Sequence, residues 1–243
     1  MANLINLDRV AHRNLRVNEE IALSSCKDIT MCAISPSEIP RLILEYPIAF
    51  TQNGDSREFL LVALFGLDPQ RNLFWRNGRW QSFTVPHNVA RQPFHLAVGT
   101  RSTSAGSEQT VVTCIDLDNP GVQETTGEAL FDAEGVETPY LKHKLAILSE
   151  LVDGERRARA FAERIDALGL IKPVQLELTE PGSAPRKIGG LFSIDEQKLR
   201  DLPPEVLAEI NGKGYLHVMH AMLLSLGQFS MLARHAASIR TSS

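Results

Sequence analysis

Two tryptophans, two arginines and a histidine crowd one short stretch of the chain: Trp75, Arg79, Trp80, His87 and Arg91. If Trp75 and Trp80 share one face of a strand pair, they can pair across it or clamp a ligand. Arg79 then adds a fork-shaped donor suited to a carboxylate. Cross-strand packing is the competing reading of the two tryptophans. His87, Arg91 and His95 follow at spacings of four, which a helix would align on one face. Pro93 denies that alignment, because it breaks a helix before His95 and pushes Gln92 into extended geometry. His87 and Arg91 can still converge on a loop.

Other reactive side chains have spacings that carry less chemistry. His217 and His220 stand at i, i+3, close enough for two imidazoles on one metal, but no third ligand follows at helical spacing. An iron facial triad would need His-x-Asp or His-x-Glu, and the chain has neither. Asp116 and Asp118 enter an Asn-Pro-Gly turn, where carboxylates cap backbone amides. Ser225 sits in Leu-Leu-Ser-Leu-Gly, which is not the strained Gly-x-Ser-x-Gly turn of a hydrolase nucleophile. With Gln228 it needs buried partners or faces a pocket. Dinucleotide and Walker glycine patterns are absent. No metal and no cofactor is expected.

The elements that must position these residues belong to an ordinary globular protein. Its 243 residues, 43% hydrophobic and 22% charged, can bury a core, and one domain spanning 1–243 is the expectation. Net charge is −4 with the basic residues scattered, so no stripe exists to displace counterions from a nucleic acid. Cys26, Cys32 and Cys114 fit neither a disulfide framework nor a zinc site, and read as small core residues in a reducing compartment. Charges at Asp8, Arg9, Arg13 and Arg16 leave no signal-peptide core. The apolar stretch Val218–Leu226 falls short of the roughly 20 residues of a spanning helix. A cytoplasmic protein without a transmembrane segment is expected.

Residues 28–118 read as β-rich. Ile29–Ile34 is a β-branched run, Ser35 and Glu38 form a capping box for a helix over 36–44, and Asn53-Gly54-Asp55 joins strands at Ile48–Thr51 and Phe59–Phe65. A turn at Asp68-Pro69 follows. Asn77-Gly78 is the strongest hairpin signal. Phe94–Val98 and Thr110–Ile115 are strands joined by a solvent-facing Ser/Thr/Gly-rich loop over 99–107. Residues 138–236 read as mainly helical. Leu141, Leu145, Leu148, Phe161 and Ile165 recur at helical spacing as one interrupted helix or two, broken at Gly154 and ended by Gly169. A strand at Pro173–Leu178 turns at Pro181-Gly182 into Lys187–Ile194. Asp195 caps a helix, Pro203-Pro204 start another, and Gly214 precedes a last helix to about His235. The pattern predicts an α+β fold, an antiparallel sheet with the C-terminal helices packed on one face.

Glu45-Tyr46-Pro47-Ile48-Ala49-Phe50, Leu61–Leu67, Gly78-Arg79-Trp80, Gln92-Pro93-Phe94, Gly127–Asp132, Gly190–Asp195 and Leu224–Gln228 together resemble the bacterial SapC family, over about residues 28 to 235. The resemblance implies an accessory protein beside a dioxygenase-like or halogenase-like enzyme, or an uptake system, and supplies no catalytic residues. It also leaves a surface-layer structural role and homo-oligomerisation open. From the residues themselves, the alternative is an enzyme with a pocket near Trp75–Arg91.

Overall fold

Antiparallel hairpins carry the β-structure, and the turn chemistry read from the chain accounts for one of them. The computed structural model describes residues 3–54, 56–68, 71–103, 106–178 and 186–240. Asn77 and Gly78 have φ of 54° and 75°, the doubly positive turn whose twist matches two paired strands, so Trp75–Arg76 and Arg79–Trp80 form a tight hairpin. Gly78→Val is expected to cost about 1 kcal/mol or more, because a β-branched residue is strained at positive φ. A lowered urea midpoint checks it.

The chain is an α+β protein whose contacts divide it into two compact units. The first comprises Met1–Lys27, Trp75–Gln81 and His87–Val152. Its sheet pairs Leu4–Asn6 with Gly106–Asp116, which pairs in turn with Phe94–Thr103. Arg16–Val17 joins Val122–Gln123 to Glu128–Ala129. Val17, Ala22, Phe94, Ile115, Leu130, Leu141 and Leu148 form a buried cluster between these strands and the start of the helix Pro139–Ala167. The segment 99–107 is not the expected loop: the ladder runs through Thr103 and resumes at Gly106. Its threonines are good strand formers, and the register outweighs the loop-like composition.

The second unit comprises Asp28–Phe74, Ser82–Pro86 and Asp153–Ser243. Five antiparallel strands lie in the order Ile171–Pro173, Leu191–Ile194, Ile48–Gln52, Phe59–Leu64 and Met31–Ala33. Phe50, Phe59 and Phe192 contact one another, and Phe161 of the long helix stacks on Phe50 at 5.8 Å. From the C-terminal helices, Ser225 Oγ accepts from Ile48 N at 2.9 Å and donates to Met222 O at 2.6 Å.

Several boundaries differ from the expectation for local reasons. Gly154 lies inside an unbroken helix, because it is needed for close approach: a Cβ there would stand 2.6 Å from Ser35 Cβ. The expected helix over 36–44 is only Ile39–Leu42, although Ser35 N does donate to Glu38 Oε2 at 2.8 Å. The stretch 173–178 splits, with Ile171–Pro173 pairing to Leu191–Ile194 and Leu176–Leu178 to Arg186–Ile188. Asp195 caps Glu196–Arg200 as expected, accepting from Lys198 N. The last helix is two, Tyr215–Ser225 and Gln228–Arg240, because hydrogen bonds tighten to i→i−3 spacing at Leu226 and Gly227. The turn at Pro181-Gly182, and Pro69 of the Asp68-Pro69 turn, lie outside the described residues.

By length and composition, Tyr215–Ala236 could cross a membrane: it has 22 residues and a mean hydropathy of 1.3, with 39% of its most apolar window buried. It is the one such stretch among the described residues, and a core helix passes the same test.

Candidate functional site

Alternation along a strand sends neighbouring side chains to opposite faces, and this sorts the hairpin residues. Trp75 stands directly opposite Trp80, and Arg76 directly opposite Arg79. The tryptophans therefore share one face, with Trp80 buried and Trp75 half-buried. Arg79 projects from the other face, beside Arg76 and away from the aromatic pair. The Nε of Arg76 is buried and has no hydrogen-bond partner among the described residues. The strand Arg79–Trp80 packs on the helical turns Glu19–Ala22 and Leu23–Cys26.

His87 and Arg91 lie on one helical turn, His87–Ala90 and the residue after it, with Arg91 N donating to His87 O at 2.9 Å. Pro93 ends that turn, and the strand begins at Phe94. Arg91 Nη1 donates to Phe94 O at 2.9 Å and to His95 Nδ1 at 2.7 Å. A guanidinium has no acceptor, so His95 Nδ1 must accept, and the neutral ring carries its proton on Nε2. Burial, then the Arg91 charge, pulls the His95 ring below its ordinary range and favours that neutral form. Its Nε2 is buried without a partner among the described residues.

Lys144, within the apolar stripe of the long helix, is fully buried. Its Nζ donates to Glu19 Oε1 and to Ala90 O, each at 2.6 Å, and lies 5.3 Å from the centre of the Tyr140 ring. Burial, followed by the charges of Glu19 and Glu128, raises the Tyr140 phenol well above its usual range, so its hydroxyl stays protonated.

In the second unit, Phe83 is fully exposed, yet its backbone is held fast. The two carboxylate oxygens of Glu45 accept from Phe83 N and Thr84 N at 3.0 Å each, and Tyr46 OH donates to Thr84 O at 2.7 Å. Leu44, beside Glu45, is 73% exposed, and Gln228 Nε2 donates to its carbonyl at 3.0 Å. Leu224, four residues before Gln228, is 76% exposed.

A family model, SapC, matches residues 7–232. The chain belongs to the SapC family. No curated protein and no solved structure matches it.

Within this SapC chain, most of the other residues singled out by type serve the backbone. Asp116 Oδ1 accepts from Asn3 N and Asp118 N, as a turn-capping carboxylate does. His220 Nδ1 sits 2.8 Å from Leu216 O, one turn back on its own helix. Among the described residues, no three His, Cys, Asp or Glu side chains gather as a metal site would need. Arg76 escaped the sequence reading although its signal was present: in Arg-Asn-Gly-Arg a two-residue turn places the flanking arginines opposite each other. Lys144 was hidden in a helical stripe between Leu141 and Leu148, and Phe83 had no local signal.

Proposed function

We propose that this SapC-family chain is a non-enzymatic accessory protein that seats a partner protein on the surface centred on Phe83. The observation that carries the reading is a bulky aromatic ring left wholly in solvent while Glu45 and Tyr46 hold its backbone rigid. Burying such a ring against a partner recovers roughly 2–3 kcal/mol, and the fixed backbone lowers the entropy cost of doing so. Leu44, exposed and next in the chain to Glu45, is assigned to the same surface. The partner class is a dioxygenase-like or halogenase-like enzyme, or an uptake system, as the family resemblance implies. We read the protein as cytoplasmic and Tyr215–Ala236 as core rather than membrane span, because Val218, Met219, Met222, Phe229 and Leu232 are buried in the fold.

The check is capture from the native cell with wild-type, Phe83→Ser and Leu44→Ser baits. Phe83 is fully exposed, so Phe83→Ser is expected to change stability by less than about 0.5 kcal/mol. Recovery of an identified oxidative enzyme or uptake component should fall about tenfold or more, the scale of a lost interface anchor. Undiminished recovery of the same protein by both variants refutes the reading. The competing reading, an enzyme working at Trp75–Arg91, is favoured by the neutral His95 with its unpartnered Nε2. It gains ground if no captured protein depends on Phe83.

A further inference from the structure

The face of the Asn77-Gly78 hairpin opposite the tryptophans carries two like charges in direct register. Arg76 and Arg79 are cross-strand partners next to the turn, in the kind of pair whose Cα atoms are about 5.5 Å apart. Like charges so placed repel and destabilise a hairpin unless something lies between them. Among the described residues neither guanidinium has an ion-pair partner. The helical turn Glu19–Ala22 packed on this strand carries two carboxylates: Glu19 is committed to Lys144, and the exposed Glu20 makes no ion pair with either arginine among the described residues. Among the described residues the buried Arg76 Nε finds no acceptor, a state that costs free energy in a folded protein.

We propose that Arg76 and Arg79 form a two-pronged site for an oxyanion carrying two negative charges, a phosphate group or a dicarboxylate. Each guanidinium presents a planar fork of donors that matches two oxygens, and two forks on one face neutralise two charges. A single carboxylate would leave one of the arginines uncompensated. The ligand would also satisfy the buried Arg76 Nε and turn the repulsion across the hairpin into a bridge. This site lies in the first unit and is independent of the Phe83 surface.

Both tryptophans of the chain sit in this hairpin, so their fluorescence reports on it directly. The experiment titrates the full chain with inorganic phosphate, with succinate and with acetate at constant ionic strength. Fluorescence and isothermal calorimetry are read together. A saturable response to phosphate or succinate with a Kd on the order of 1 mM is expected, at least about tenfold weaker for acetate. Phosphate alone responding assigns a phosphate group, and succinate alone a dicarboxylate. R76Q and R79Q should each weaken binding about tenfold with unchanged circular dichroism. The exposed Arg79 makes R79Q the variant that keeps the test valid should R76Q misfold. The proposal fails if neither dianion gives saturable heat or fluorescence change, or if R79Q binds as wild type does.

Discussion

Lys144→Ala is expected to destabilise the first unit by about 3 kcal/mol, within the range for truncating a fully buried long side chain to alanine. The lysine is wholly buried while its partner Glu19 is about half exposed, 52% by side chain, which decides how the loss divides. Glu19 regains water when the ammonium goes, so its carboxylate is not stranded. What disappears is the packing of a four-carbon stem, two charge-assisted hydrogen bonds to Glu19 and Ala90, and the cation over the Tyr140 ring. Lys144→Met keeps most of the stem and removes the charge, so about half the loss is expected to return. Urea unfolding followed by tryptophan fluorescence measures both. A midpoint for Lys144→Ala equal to wild type would show that the ion pair contributes nothing net.

Gly154→Ala is expected to cost about 2 kcal/mol, reversing the gain of about 1 kcal/mol that replacing a mid-helix glycine normally brings. The new Cβ would lie 2.6 Å from Ser35 Cβ and 3.3 Å from its Oγ. Ser35 is poorly placed to yield: it is buried, its N–H is held by Glu38 Oε2 at 2.8 Å and its hydroxyl by Ser37 Oγ at 2.7 Å. Ser35→Gly should therefore restore most of the stability in the Gly154→Ala background while weakening the parent protein. That coupling, read from denaturation of the four proteins of a double-mutant cycle, separates a steric contact from a helix-propensity effect. A stabilised Gly154→Ala protein would refute the close approach.

What could be read along the chain, and what could not, follows the range of the interactions. Asn77-Gly78 and the Asp195 cap are set within four residues by backbone geometry and one side-chain oxygen, and both were legible. The hairpin of Ile48–Gln52 with Phe59–Leu64 was legible because a turn signal separates two apolar runs. Gly154 was misread because its reason for being glycine lies at Ser35, more than a hundred positions away in the chain. At the candidate site, the residue types Trp75, Arg79, Trp80, His87 and Arg91 were visible, whereas their partition was a matter of register. One step along the strand puts Arg79 with Arg76 instead of with the tryptophans. Arg91 spends its guanidinium on Phe94 O and His95, partners that exist only once Pro93 has turned the chain into its next strand. Phe83 was invisible for a different reason. Exposure of a single aromatic depends on everything that fails to cover it, and no local pattern encodes that.

The strand Leu191–Ile194 lies between Ile171–Pro173 and Ile48–Gln52, and this has a consequence for the order in which the ribosome releases the chain. The hairpin of Ile48–Gln52 and Phe59–Leu64 is complete early in synthesis, but its Ile48–Gln52 edge waits for a neighbour encoded some 140 residues later. During that interval an apolar ribbon containing Ile48, Ala49 and Phe50 offers unpaired amides and carbonyls to any other nascent chain. Crowded polysomes are thus the setting in which this protein is most exposed to edge-to-edge association. Slowing translation between Gln52 and Leu191 would lengthen that exposure, and a holdase bound to the nascent edge would shorten it.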